Sequence, residues 1–210
     1  MTQYNPHSNA FGSPAPKSGM SVLKIILIIG SIFGLLFVAA IAGLVYFVMQ
    51  LAVDSDTLET TVADDQVTSL ELPSNWTDLR GADRNVDASL QYGNLFAETY
   101  AMILTESKSD FLQMFGADAQ FGIDDYSELI VEGMADANFK LGAADPVTVN
   151  GLSGRRIRMT TELEGIPIVY LVTLIDGNNH FHQVHCWTMQ SRETKNMPTL
   201  KKIADSFRER

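Results

Sequence analysis

Residues Val147 to Met189 read VTVNGLSGRRIRMTTELEGIPIVYLVTLIDGNNHFHQVHCWTM, a series of apolar, β-branched runs separated by turn residues. Asn150-Gly151, between Val147–Val149 and Arg155–Leu163, predicts a hairpin, because both residues tolerate the positive φ angles of a tight turn. In the second strand Ile157, Met159, Thr161 and Leu163 share one face, and Arg156, Arg158, Thr160 and Glu162 share the other. Glu164-Gly165 turns the chain into Ile166–Ile175, where both alternating sets are apolar: Ile168, Tyr170, Val172 and Leu174 against Val169, Leu171, Thr173 and Ile175. Such a strand needs cover on both faces, which places it centrally in a sheet with helices beside it. A further turn, Asp176-Gly177-Asn178-Asn179, leads into a strand from His180 to Met189. Consecutive hairpins of this kind make an antiparallel meander.

Outward from this stretch, Thr99 to Glu106 (TYAMILTE) is rich in strand-forming residues and is followed by polar signals at Ser107 to Asp110. Ile123 to Ala137 places Tyr126, Leu129, Ile130, Met134 and Ala137 at helical steps, with Asp124 and Asp125 set to cap the start. Pro198 opens a second predicted helix, with Leu200, Ile203, Ala204 and Phe207 toward the sheet and Lys201, Lys202 and Arg208 toward water. The expected class is α+β, an antiparallel sheet sandwiched by helices (α/β/α) and preceded by one transmembrane helix.

Several positions together resemble the PsbP-like domains: Val149-Asn150-Gly151, Tyr170, Thr173, Gly177, Phe181, Gln183, Trp187-Thr188, Ser191-Arg192, and the terminal Leu200, Ile203 and Ser206-Phe207. Tyr92-Gly93-Asn94 and the run Glu106 to Phe111 fit the same pattern, so the resemblance spans Val67 to Arg210. It implies an antiparallel sheet between helices used as a non-enzymatic binding or scaffold module, as in a photosystem subunit of chloroplasts and in many bacterial envelope proteins. An anchor helix departs from the soluble and lipoprotein members. No site motif matches position by position, so the resemblance transfers no binding residue.

That anchor is the uncharged run from Ile25 to Met49, 25 residues long. As a helix it would measure about 37 Å, enough to cross a hydrocarbon core of roughly 30 Å with some tilt. Lys17 and Lys24 precede it, whereas Asp54, Asp56, Glu59, Asp64, Asp65, Glu71 and Asp78 follow before the first basic residue, Arg80. Positive flanks stay on the cytoplasmic side, so the expected topology is N-terminus inside and C-terminal bulk extracytoplasmic, on the periplasmic side of a bacterial inner membrane. Ala40-Ile41-Ala42 also looks like a signal-peptidase site, but the apolar run continues beyond it through Met49. Gly30 and Gly34 form a G-x-x-x-G, a packing face for a homodimer through the span. The expected organisation is a disordered cytoplasmic tail over 1–20, a transmembrane helix over 21–50, an acidic linker over 51–66 and an extracytoplasmic PsbP-like domain over 67–210.

From Asp54 onward the chain carries all 25 acidic residues and 13 of the 15 basic ones, a net charge of −12. Such a surface repels phosphate backbones, which argues against nucleic acid and leaves an envelope protein as the expected partner, beside the bilayer held by residues 25–49. Cys186 is the single cysteine, so no internal disulfide forms; it reads as a small buried hydrophobe in an apolar strand.

His180 and His182 point to one face of a strand at a spacing that suits bidentate capture of a divalent metal, while His185 faces away with Phe181 and Trp187. A complete metal site would need an Asp or Glu from a neighbouring strand. The competing reading is ordinary sheet histidines and no cofactor. Arg156 and Arg158, on one strand face beside Arg155, read either as an anion or partner contact or as residues paired with carboxylates. No G-x-S-x-G elbow, phosphate loop, H-E-x-x-H or activated cysteine occurs, so the expected activity is non-catalytic binding, with a metal-binding or metal-sensing domain as the alternative.

Overall fold

A computed structural model describes residues 44–51, 53–79, 85–115 and 121–210. The chain divides into two units, residues 1–47 and 48–210. Most of the predicted span, and the predicted tail, lie outside the described residues; 44–51 are helical, with Leu44 to Met49 exposed. Among the described residues no helix is long and apolar enough to cross a membrane.

In the second unit the order is β1 (Leu58–Val62), β2 (Thr68–Pro73), β3 (Thr77–Asp78), β4 (Ala88–Asn94), β5 (Thr99–Ser107), α1 (Lys108–Phe115), α2 (Ile123–Asp136), β6 (Lys140–Val149), β7 (Leu152–Leu163), β8 (Ile166–Asp176), β9 (His180–Met189), α3 (Glu193–Asp205) and β10 (Arg208–Glu209). A seven-stranded sheet runs β3-β4-β5-β9-β8-β7-β6, antiparallel throughout, and a three-stranded sheet runs β1-β2-β10.

The hairpins form where their turn residues predict. Asn150 (φ 49°) and Gly151 (φ 90°) close β6 on β7, and Glu164 (φ 50°) with Gly165 (φ 82°) closes β7 on β8. The doubly apolar strand β8 lies between β9 and β7. Val172 and Leu174 point into a core with Ile157, Met159, Phe181, Phe111 of α1 and Tyr126 of α2. Leu171 and Ile175 point into the opposite core with Cys186, Leu70 and Leu72 of β2, and Leu200 and Ile203 of α3. Burying both faces satisfies the apolar alternation that a one-sided sheet could not.

The linker, the start of the last helix and two residues of α2 differ from expectation. The segment 51–66, expected as an acidic linker, carries β1, whose Leu58–Val62 pairs with Pro73–Ser69. Asp65 there accepts from the Val67 and Thr68 amides at 2.8 and 3.1 Å and turns the chain into β2. The polar signals at Ser107 to Asp110 mark the start of helix α1. The last helix begins at Glu193, with Pro198 inside it. Its polar first turn is fixed by the buried Asn196, whose amide donates to Ala97 O at 3.0 Å and Thr188 Oγ1 at 2.9 Å. In α2 Tyr126 is buried as expected but Leu129 faces solvent. Asp125 reaches back to the Gly122 amide at 2.9 Å, whereas Asp124 pairs with Arg155 instead of capping.

Candidate functional site

Strand β9 is the fourth of seven in the large sheet, and its alternation sends His180 and His182 to the α3 side and Phe181, Gln183 and His185 to the α1–α2 side. The tight turn before it is closed by Gly177 N donating to His180 O at 2.9 Å. Beyond α3 the chain reverses: Ser206 Oγ donates to Ile203 O at 2.6 Å and accepts from Glu71 N at 2.8 Å. Two residues of β10 then pair with β2, Glu209 opposite Thr68. That pairing carries the Glu209 carboxylate over the histidine end of β9.

Glu209 Oε1 lies 3.3 Å from His182 Nε2 and 3.9 Å from His180 Nδ1, and the three atoms all fall within 4.8 Å of one another. Glu209 Oε2 accepts from the backbone amide and the side-chain amide of Asn178, both at 2.7 Å. On the far side of the ring, His182 Nδ1 is 3.2 Å from Thr105 Oγ1, whose hydroxyl is 3.1 Å from Asp65 Oδ2. Phe207 covers the His182 ring at 5.0 Å between centroids. His182 is fully buried, and burial lowers its pKa below that of a free imidazole although Glu209 pulls it upward. Burial raises the Glu209 carboxyl, yet the Asn178 amide and the two imidazoles together hold it below the usual range. A hollow of about 150 Å³ lined by Asn150, Leu152, Asn178, Arg208 and Glu209 opens beside the carboxylate.

No protein-family model and no curated protein matches the chain. Solved structures do. The solution structure of cyanobacterial PsbP (CyanoP) from Synechocystis sp. PCC 6803 superposes with a TM-score of 0.55 at 12% identity, over 73% of this chain and 93% of that one. The chain has the PsbP-like fold. Lower similarity extends to the Saccharomyces cerevisiae Ran-binding protein Mog1p (TM-score 0.48, 11% identity, 73% of this chain and 95% of that one). It also extends to LpqN of Mycobacterium tuberculosis, involved in cell envelope biogenesis (TM-score 0.39, 10% identity, 72% and 89%). At these identities the likeness speaks to fold alone.

Within this fold the two arginines that read as an anion or partner contact, or as paired with carboxylates, face carboxylates of α3. Arg158 Nε and Nη2 grip Glu193 Oε1 and Oε2 at 2.6 and 2.7 Å, and Arg156 Nη2 meets Asp205 Oδ1 at 2.6 Å while its Nε donates to Thr173 Oγ1 at 3.0 Å. They fasten α3 to the sheet, and of the two sequence readings the pairing with the protein's own carboxylates is the one the geometry shows. Gly30 and Gly34 lie outside the described residues. Cys186 is buried, and burial pushes its thiol up to about 12, which fits a packing role.

His185 belongs to a second buried network on the α1–α2 side. Its Nε2 is 2.8 Å from Gln183 Oε1, Gln183 Nε2 donates to Tyr126 Oη at 2.9 Å, and Tyr126 Oη donates to Glu106 Oε2. Sequence reasoning missed Glu209, Asp65, Thr105 and Asn178 around His182. Only Glu209 had any local signal, as one acid in a charged C-terminus.

Proposed function

We propose that this chain is a single-pass membrane protein whose extracytoplasmic PsbP-like domain works as a non-catalytic binding module for an envelope protein. The observation that carries the reading is the change across residues 25–49: two lysines and no acid before the uncharged run, and a folded domain of net charge −12 after it. The surface charge favours a basic or cation-bearing partner and disfavours nucleic acid.

In this reading the bilayer is held through residues 25–49, and Gly30 with Gly34 give the span a face for self-association. Crosslinking in intact membranes followed by mass spectrometry should recover one reproducible protein partner in contact with residues 53–210. Protease added outside spheroplasts should remove the domain. Recovery of nothing above background across growth conditions would count against a binding module, and full protection from external protease would reverse the topology.

A further inference from the structure

We infer that His180 Nδ1, His182 Nε2 and Glu209 Oε1 form a binding site for a zinc-class divalent metal ion, which ties the C-terminal strand β10 to the central strand β9. Zinc bonds of about 2.1 Å at tetrahedral angles set neighbouring ligand atoms about 3.4 Å apart. The His182–Glu209 edge stands at 3.3 Å, the His180–Glu209 edge at 3.9 Å and all three atoms within 4.8 Å of one another, so the partly exposed His180 ring has to turn toward His182 to close the geometry. Two imidazoles and one carboxylate select zinc and its borderline neighbours over calcium and magnesium, which prefer all-oxygen cages.

Three further observations converge on the same point. The Thr105 hydroxyl lies 3.1 Å from Asp65 Oδ2 and 3.2 Å from His182 Nδ1, so the contacts behind the ring fall on Nδ1 and leave Nε2 turned to Glu209 Oε1 at 3.3 Å. The buried His180 Nδ1, aimed at the same oxygen, has no hydrogen-bond partner. Lastly, a Cβ on Gly177 would lie 2.7 Å from both His182 Nε2 and Glu209 Oε1. Gly177 is not in the left-handed region, so a side chain there would act by pushing the ends of His182 and Glu209 out of their present positions rather than by straining the backbone.

Outer contacts hold the set in place. Thr105 and Asp65 hold the Nδ1 side of the His182 ring so that Nε2 faces Glu209, and the Asn178 amides orient Glu209. The hollow beside Glu209 gives an ion its way in and leaves a fourth position for water or for a donor group of a partner.

The test is zinc titration of the full-length chain, stripped with chelator and held in detergent, by calorimetry and by metal analysis of the dialysed protein. One ion per chain is expected in the wild type, with affinity at least tenfold weaker in His180→Ala, Glu209→Gln and Gly177→Ala. His185→Gln, on the opposite sheet face, should bind within twofold of wild type. Zinc should raise the thermal midpoint of the wild type and not of His180→Ala, since only a bound native state is stabilised. His180 contributes no hydrogen bond through Nδ1, so His180→Ala should keep the wild-type urea midpoint without metal. Wild-type binding no stronger than that of a His180→Ala/Glu209→Gln double variant would overturn the site. So would equal binding by Gly177→Ala, a loss in His185→Gln as large as in His180→Ala, or displacement of zinc by millimolar magnesium.

Discussion

The indole Nε1 of Trp76 donates to Asp54 Oδ1 at 2.8 Å across 22 residues of chain. The same oxygen accepts from Thr99 Oγ1 at 3.0 Å and from Asn94 Nδ2 at 3.3 Å. Asn94 Nδ2 also donates to Leu51 O, and Asn75 Nδ2 to Val53 O. One carboxylate therefore gathers donors from the β2–β3 turn and from strands β4 and β5 and holds the start of the folded domain directly behind residue 51. Asp54→Ala takes the acceptor from three donors; hydrogen bonds to a charged group contribute about 1.5–3 kcal/mol net when buried, and less at this partly exposed carboxylate, where water replaces part of each. We expect a loss of about 2 kcal/mol in urea unfolding and faster proteolysis between residues 51 and 57. Asp54→Asn, which keeps Oδ1, should lose about half as much; a wild-type midpoint in Asp54→Ala would remove the clasp.

Tyr126 is fully buried, and its hydroxyl sits between Glu106 and the Gln183 amide. Burial, followed by the Glu106 carboxylate, pushes its ionisation far above that of a free phenol, so the group stays a donor at any physiological pH. Tyr126→Phe keeps the ring stacked on Phe181, whose centroid is 4.4 Å away, and deletes only the hydroxyl. The buried Gln183 amide is then left without its nearer partner, which costs about 1–3 kcal/mol. Equilibrium unfolding at pH 7 measures it, and a change below about 0.5 kcal/mol would mean that water or a shifted Gln183 takes the place of the hydroxyl.

His185 makes stability depend on pH. Burial drives its pKa down to about 4, against about 6.5 in the unfolded chain. Between those values the unfolded state binds a proton that the folded state refuses, so the unfolded state gains as pH falls. The contribution is complete above about pH 6.5 and is lost progressively toward pH 4, by about 3 kcal/mol if the whole shift is expressed. Urea midpoints at pH 7.5, 6, 5 and 4.5 should fall in wild type and fall less in His185→Gln, whose amide can still donate to Gln183. Parallel curves for the two proteins would assign the acid sensitivity elsewhere.

What was legible in the sequence was local. Asn150-Gly151 and Glu164-Gly165 carry their turn geometry in two residues each, and the two apolar sets of Ile166–Ile175 announce a strand covered on both faces. The elements that escaped are short or held from afar. Strand β10 is two residues long and exists because Arg208 and Glu209 find β2, more than a hundred residues earlier. The first turn of α3 depends on Asn196 reaching Ala97. The histidine spacing was visible, whereas the third ligand needed that distant pairing: Glu209 meets His182 only because α3 and Ser206 return the chain to the β9 end of the sheet. For Arg156 and Arg158 carboxylate pairing was one of two readings, but the partners could not be named: Glu193 lies in a first helical turn without apolar period, and Asp205 faces Arg156 only once the helix has packed on the sheet.

Those arginine pairs separate burial from geometry. Arg158 meets Glu193 through two parallel hydrogen bonds, but its side chain is 48% exposed; Arg156 makes a single contact with Asp205, yet its side chain is 12% exposed and it also donates to the fully buried Thr173. Exposed pairs are worth about 0–1 kcal/mol because water competes for both charges. Truncating the more buried arginine removes stem packing and a hydrogen bond to a hydroxyl that water reaches poorly. Arg156→Ala should therefore cost about 2 kcal/mol and Arg158→Ala under about 1, and raising salt to 1 M should erase more of the Arg158 effect than of the Arg156 effect, since screening acts on exposed charge. Urea midpoints at low and high salt decide the order. A larger cost at Arg158 would mean that the two-bond grip on Glu193, at the first turn of α3, outweighs burial in holding the helix to the sheet.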